Sequence, residues 1–190
     1  YWLGPELASK ATPGEQIEVR RLLSEDVLYA YDTKARFIGL LHPRDEADLA
    51  LAVDVARDAK AAILPRGAGT SQCGQTVGEA LVIDCSKHLR EVVGFDKAKR
   101  QVTVQPGIVL DHLNAWLKPH GLWYPVDVST SAQCTLGGMA GNNSCGSRSI
   151  RYGNMVHNVL AIDAVLPDGS EYAFGEVPED ASRVEGPAGY

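Results

Sequence analysis

The sequence carries no surplus of positive charge: 18 Lys and Arg stand against 24 Asp and Glu, a formal net charge of −6. A general nucleic-acid binder would show a basic footprint, so that class is not expected. A local anion site stays open, because main-chain N–H groups alone can hold a phosphate. No apolar run approaches the ~20 residues that a membrane-spanning helix needs. The opening Tyr1-Trp2-Leu3-Gly4-Pro5-Glu6 has no basic region followed by an apolar stretch, so no signal peptide is expected. Without an initiator Met, the chain reads as a processed or excised segment. Its four cysteines, Cys73, Cys85, Cys134 and Cys145, are widely spaced and form no C-x-x-C. Free thiols in a reducing, cytoplasmic setting are the expectation, with no iron–sulfur spacing. His42, His88, His112, His120 and His157 show no ligand spacing, and no metal is expected. No Ser/His/Asp set or carboxylate pair stands out, so no catalytic residue is named.

What is present is ordinary for a globular chain, with 45% hydrophobic and 22% charged residues. Residues 15–27 pattern as a short amphipathic helix, and 37–41 as a strand ended by His42-Pro43. Asp45 is placed to cap a helix carrying Leu49, Ala52, Val53, Ala56 and Ala59 on one stripe. Strands are expected over 61–65 and 81–84, and paired strands over 91–95 and 101–105. After Pro106-Gly107, Leu110, Leu113 and Leu117 mark a helix that Gly121 can terminate. Residues 124–153 are rich in Gly, Ser and Asn and read as a long irregular segment, which is usually functional. Strand character returns over 159–166, then a Pro167-Asp168-Gly169-Ser170 turn leads into a strand over 171–174. Helices and antiparallel pairs intermix, so the fold class is α+β.

Two loops carry the chemistry. Gly67, Ala68 and Gly69 let several backbone N–H groups converge on one anion, and Thr70 and Ser71 add hydroxyls. Arg66 can add charge or brace the loop. The run lacks the Gly-Lys-Ser/Thr of a Walker motif and the G-x-G-x-x-G of a Rossmann turn. Alone it is nearly as compatible with a surface turn. The second loop, Thr135 to Gly146, has four glycines with several amides and hydroxyls, and two such loops point to a dinucleotide. Arg148 and Arg151 are candidates either for phosphate or for plain solvent exposure. Trp116, Trp123 and Tyr124 fit the core better than a cofactor flank, and Asp111-His112 fits the surface.

These residues resemble a known family. Pro65 to Ser71 is similar to the first FAD loop of the FAD-linked oxidases related to vanillyl-alcohol oxidase and p-cresol methylhydroxylase. The likeness continues through Val104-Gln105-Pro106-Gly107, Pro125-Val126-Asp127, Thr135-Leu136-Gly137-Gly138 and Arg151-Tyr152-Gly153. It persists in Val159 to Leu166 and in Pro167-Asp168-Gly169. Order and spacing resemble the branch containing D-lactate dehydrogenase, the glycolate oxidase subunit and D-2-hydroxyglutarate dehydrogenase.

The resemblance implies a two-lobed FAD-binding domain of the p-cresol methylhydroxylase type, truncated at its C-terminus. Its parts would be a lead-in over 1–36, a first lobe over about 37–105, an incomplete second lobe over about 106–175, and an acidic tail over 176–190. By that likeness Pro65, Arg66, Gly67, Ala68, Gly69, Thr70, Ser71 and Gln75 wrap the pyrophosphate and ribityl chain. Pro106, Gly107, Pro125, Asp127, Thr135, Gly137 and Gly138 border the cofactor. Asn142, Asn143, Ser144, Cys145, Gly146, Tyr152 and Gly153 form the next part of the wall, with Ile162 toward the adenine. FAD is expected to be noncovalent: many tethered relatives carry His in the first loop, and Thr70 occupies the nearest matching position here.

The implied reaction is oxidation of a D-2-hydroxy acid to a 2-oxo acid, with hydride passing to flavin N5. Substrate and its proton-abstracting base would be held by a cap domain encoded elsewhere. Electrons would leave to a quinone, cytochrome or iron–sulfur partner. The implied location is cytoplasmic or peripheral to the inner face of the membrane. Other readings stay open: a carbohydrate oxidase or enolpyruvyl reductase of the same fold, or a non-catalytic nucleotide-binding module.

Overall fold

The computed structural model describes residues 27–30, 39–176 and 186–187. Its first layer is a four-stranded sheet in the order β1-β2-β4-β3, built from Val27–Ala30, Gly39–Leu41, Leu81–Asp84 and Ile63–Arg66 respectively. β2 and β3 both run parallel to β4, and β1 closes one edge antiparallel to β2. All four residues of β4 are buried. Its apolar run without alternation is what a strand in a parallel sheet shows.

Helix α1 (Glu46–Asp58) makes the crossover from β2 to β3. Asp45 starts it in extended backbone and accepts the Asp48 N–H at 2.8 Å, the N-cap expected from the sequence. Asp48 in turn accepts Arg44 N and Nε, each at 3.0 Å. The Ala52, Val53 and Ala56 stripe packs on Leu41, Leu81 and Ile83 as one core cluster.

β5 (Val92–Asp96) and β6 (Gln101–Val104) form the expected hairpin. It packs on a second cluster built by α2 (Leu110–Leu117), where Leu110, Leu113 and Leu117 are each at most 4% exposed. A 3-10 turn over Lys118–His120 follows, and Gly121 ends it at φ 73°, in the left-handed region. Phe95 meets Trp116 edge-on at 5.0 Å, which ties the hairpin to α2.

The segment expected to be irregular contains two short helices, α3 (Leu136–Gly141) and α4 (Ser149–Tyr152), and a third, α5 (Met155–Asn158), follows just beyond it. Glycine is a weak helix former. Burial of Leu136 and Met139 against the second core overrides that preference in α3. The strand expected over 159–166 is confined to β7 (Ile162–Val165), which pairs antiparallel with β8 (Glu171–Phe174). Arg57 of α1 donates to the Asp168 carbonyl at 2.6 Å, and Val165 packs on the first cluster. The β7–β8 hairpin is thereby fastened to the first layer. The helix expected over 15–27 lies outside the described residues except for Val27, which opens β1. Most of the expected tail lies outside them as well.

Leu113→Ala is expected to lower unfolding free energy by about 3 kcal/mol, and Asp45→Ala by about 1 kcal/mol. Urea titration of each variant checks the ranking.

Candidate functional site

The first loop leaves the sheet where β3 ends. Arg66 pairs with Asp84 in the β3–β4 register, and its carbonyl accepts the Cys85 N–H at 2.9 Å. Its guanidinium donates through Nε and Nη2 to Asp84 Oδ2 at 3.1 and 2.8 Å. The other oxygen, Oδ1, accepts Ser86 N at 2.9 Å and Ser86 Oγ at 2.5 Å. Asp84 is only 6% exposed, so a buried carboxylate anchors the root of the loop.

Past that root, Gly67 runs against the second loop. A Cβ there would collide with Thr135 Oγ1 and lie 3.5 Å from the Gly138 nitrogen. Gly69 then turns the chain at φ 65°, a conformation that side chains disfavour. Gln75 closes the loop by donating to Ser71 Oγ at 2.5 Å, and it reaches across to Asn142 Oδ1 at 3.2 Å.

The second loop is held as firmly. Thr135 is 1% exposed and caps α3, accepting the Gly138 N–H at 3.4 Å. Leu136 N donates to Ile108 O at 3.0 Å, and Gly137 N to Pro106 O at 2.8 Å. These bonds hold the start of α3 against the turn at Pro106.

Between the loops lies an open cleft of about 830 Å³. Pro65 to Ser71, Gln75, Pro106, Thr135, Gly137, Gly138, Asn142, Ser144 and Cys145 all line it. Gly107, Pro125, Asp127, Asn143, Gly146, Tyr152, Gly153 and Ile162 are not among the residues that line it. Two of these are packed behind the walls instead. A Cβ on Gly107 would strike the Cys85 carbonyl, and one on Gly146 the Asp127 carbonyl. Asp127 organises the turn beyond it, accepting Ser147 Oγ at 2.8 Å and Arg148 N at 3.1 Å. Those bonds hold its carboxyl below the ordinary carboxylate value. Asn143 and Ile162 face a second, apolar pocket of about 360 Å³ together with Met155, Leu160 and Phe174.

Arg148 lies over the Trp123 ring at 5.4 Å and pairs with Asp127, while Arg151 lies over Tyr152 at 5.5 Å. Neither arginine lines the cleft. Gln72, Thr76, Val128, Ser129 and Thr130 do, although no sequence signal singled them out. Asp84 was missed too; its signal was a carboxylate ending an otherwise apolar strand, Leu81-Val82-Ile83-Asp84.

The lining is mostly neutral. Among the described residues it includes Arg66 and three thiols, but no carboxylate, imidazole, ammonium or phenol. All four cysteines are free. Burial, helped by the Asp84 charge, pushes the Cys85 thiol up to about 11. Burial also raises Cys134. Among the described residues, no cluster of three or more His, Cys, Asp or Glu could hold a metal. No helix among them is long and apolar enough to cross a membrane.

Comparison with known proteins gives a consistent picture. The FAD binding domain family matches residues 38–175. D-2-hydroxyglutarate dehydrogenase of Pantoea ananatis is 37% identical over 142 residues, covering 73% of this chain and 14% of that protein. D-lactate dehydrogenase [cytochrome] 1, mitochondrial, of Saccharomyces cerevisiae is 32% identical, covering 75% of this chain and 25% of its own. Glycolate oxidase subunit GlcD of Bacillus subtilis is 30% identical, covering 75% and 32%. This chain therefore spans between 14% and 32% of the length of these relatives. Among solved structures, alkyldihydroxyacetonephosphate synthase superposes with a TM-score of 0.65 at 22% identity, covering 74% of this chain and 26% of that one. That likeness concerns the fold.

Exposed Cys73 and Cys145 are expected to react with iodoacetamide at pH 8 well before Cys85. The thiolate is the nucleophile, and a value near 11 leaves about one Cys85 in a thousand ionised at that pH. Time-resolved peptide mapping of the alkylated chain measures the order.

Proposed function

Because this chain belongs to the FAD binding domain family, we propose that it is the flavin-holding part of a longer oxidoreductase that converts a D-2-hydroxy acid to a 2-oxo acid. FAD is the cofactor of that family. The cleft wall carries the reading: two glycine-rich loops meet so closely that Gly67 has no room for a Cβ. The cradle between them is lined by main chain, hydroxyls and amides. A volume of about 830 Å³ lies within the range of roughly 300–1,000 Å³ typical of ligand sites. Neutral donors around an open cleft suit a long anionic dinucleotide better than an acid–base catalyst acting by itself.

Bound FAD would supply the two-electron acceptor for the hydride leaving the substrate α-carbon. The residues of this chain bind, shape and shield. The N–H groups of Gly67 to Ser71, with the hydroxyls of Thr70 and Ser71, receive the pyrophosphate. Thr135, Gly137 and Gly138 hold the facing wall, and Gln75 with Asn142 links the two loops across the cleft. Pro106 supports Gly137 from behind, Gly107 seats that turn on the Cys85 and Leu89 carbonyls, and Asp127 supports the turn at Gly146. The two lobes, about 37–105 and 106–175, would meet at this cleft.

The names of the relatives support the 2-hydroxy acid class, and the yeast relative's name supports a cytochrome among the quinone, cytochrome or iron–sulfur acceptors. Substrate-binding groups and the base would come from sequence outside this chain. Four free thiols favour a reducing, cytoplasmic setting for the full-length protein.

The test is anaerobic bleaching of the flavin band in the full-length protein by D-2-hydroxyglutarate, D-lactate or glycolate. A folded full-length protein without flavin sinks the reading, and bleaching by sugars alone overturns the substrate class. Two outcomes belong to this chain's own residues. Gly67→Ala should weaken FAD at least about tenfold, since the loops must part to admit a methyl group. Gly175→Ala, in open space, should leave binding unchanged. Fluorescence titration of the apoprotein reads both. FAD should also protect Cys145, which lines the cleft, from iodoacetamide and leave Cys73 reactive.

A further inference from the structure

Arg66 is the one cation in the cleft wall among the described residues, and charge alone would make it the ligand for an anion. The geometry assigns it differently. Two of its N–H groups are committed to Asp84 Oδ2, and Asp84 is buried. A guanidinium seated on a carboxylate at 2.8 Å offers little net field to a third group. Asp84 is itself held on its other oxygen by Ser86 N and Oγ. The Arg66 carbonyl is fixed by Cys85 N. Main chain and side chain of Arg66 are therefore pinned to the same β4 turn. The loop then doubles back at Gly69, whose Cβ position lies 3.5 Å from Arg66 Cδ.

We propose that Arg66 is a positioning residue: with Asp84 it forms a brace that sets the shape of Gly67 to Ser71, and the pyrophosphate is received by that loop's N–H and hydroxyl groups. The inference rests on the cleft being a FAD site. It extends that reading to Asp84 and Ser86, which are not in the cleft wall.

The two roles for Arg66 predict opposite signs for Asp84→Asn. As a brace, the pair loses a charge-assisted hydrogen bond and the loop loses its shape. FAD should then bind about tenfold more weakly. As a direct ligand, Arg66 would be freed from its counter-charge, and FAD should bind equally well or more tightly, with a gain that salt screens away. Arg66→Lys, which keeps the charge but not the fork, should weaken FAD to a similar degree. The double variant Arg66→Lys/Asp84→Asn should be no weaker than the poorer single, because both remove one interaction. Riboflavin, which lacks the pyrophosphate, should bind all of these variants as it binds the wild type.

The measurement is fluorescence titration of full-length apoprotein with FAD and with riboflavin, at low and high salt. Unchanged or tighter FAD binding by Asp84→Asn overturns the brace, as does equal weakening of riboflavin. If Asp84→Asn does not fold, Ser86→Ala decides: it removes one donor to Asp84 and should weaken FAD about threefold. Unchanged FAD affinity in Ser86→Ala, beside a weakened Arg66→Lys, overturns the brace. Wild-type binding is measured first, so its absence would count against the FAD site itself and remove the brace with it.

Discussion

The approach of Gly67 to Thr135 is the constraint on which the site depends. Two segments from opposite sides of the cleft touch there, one backbone against one buried side chain, with no space for a methyl group between them. Thr135 can cap α3 only from its extended position, and that cap places Gly138 beside Gly67. Gln75 can span to Asn142 only because the walls are already near. A dense interior tolerates little local rearrangement, so the cleft has its width set by contacts beneath it rather than by the ligand.

Where the cleft lies is a property of the sheet. β3 and β4 run parallel, and the first loop and Cys85 both emerge from their carboxyl ends. Ligands in open parallel sheets collect outside those ends, where the loops diverge. Here the second wall comes from a separate cluster, the one around α2 and α3. The β7–β8 hairpin returns to α1 through Arg57 and Val165. The chain thus crosses from one cluster to the other and back.

Much of this was legible in the sequence because local chemistry agreed with tertiary demand. Asp45 is a capping residue that caps, and the leucines of α2 are spaced for burial and are buried. Both glycine-rich loops could be read because small residues in a polar run have few other uses, and the ordered motifs around them named the family. Legibility failed where tertiary packing overrode local preference. Leu136 and Met139 make a helix of a segment whose glycines argue against one. The parallel register of β2, β4 and β3 leaves no local mark beyond the unbroken apolar run of β4. Gly107 and Gly146 carry the same letter as Gly67 but admit neighbouring carbonyls behind the walls. Composition cannot separate a glycine in the cleft wall from one packed behind it.

The hydrogen bond from Gln75 to Asn142 joins residues 67 positions apart in the chain. The two walls can face each other only once that long segment has been closed, and such non-local closures form slowly. A dinucleotide that fits the finished cleft has nothing comparable to grip in the unfolded chain. Its concentration then becomes a term in the folding equilibrium, adding about 2.7 kcal/mol at one hundred times its dissociation constant. Filling the cleft would therefore also steady the fold that makes it.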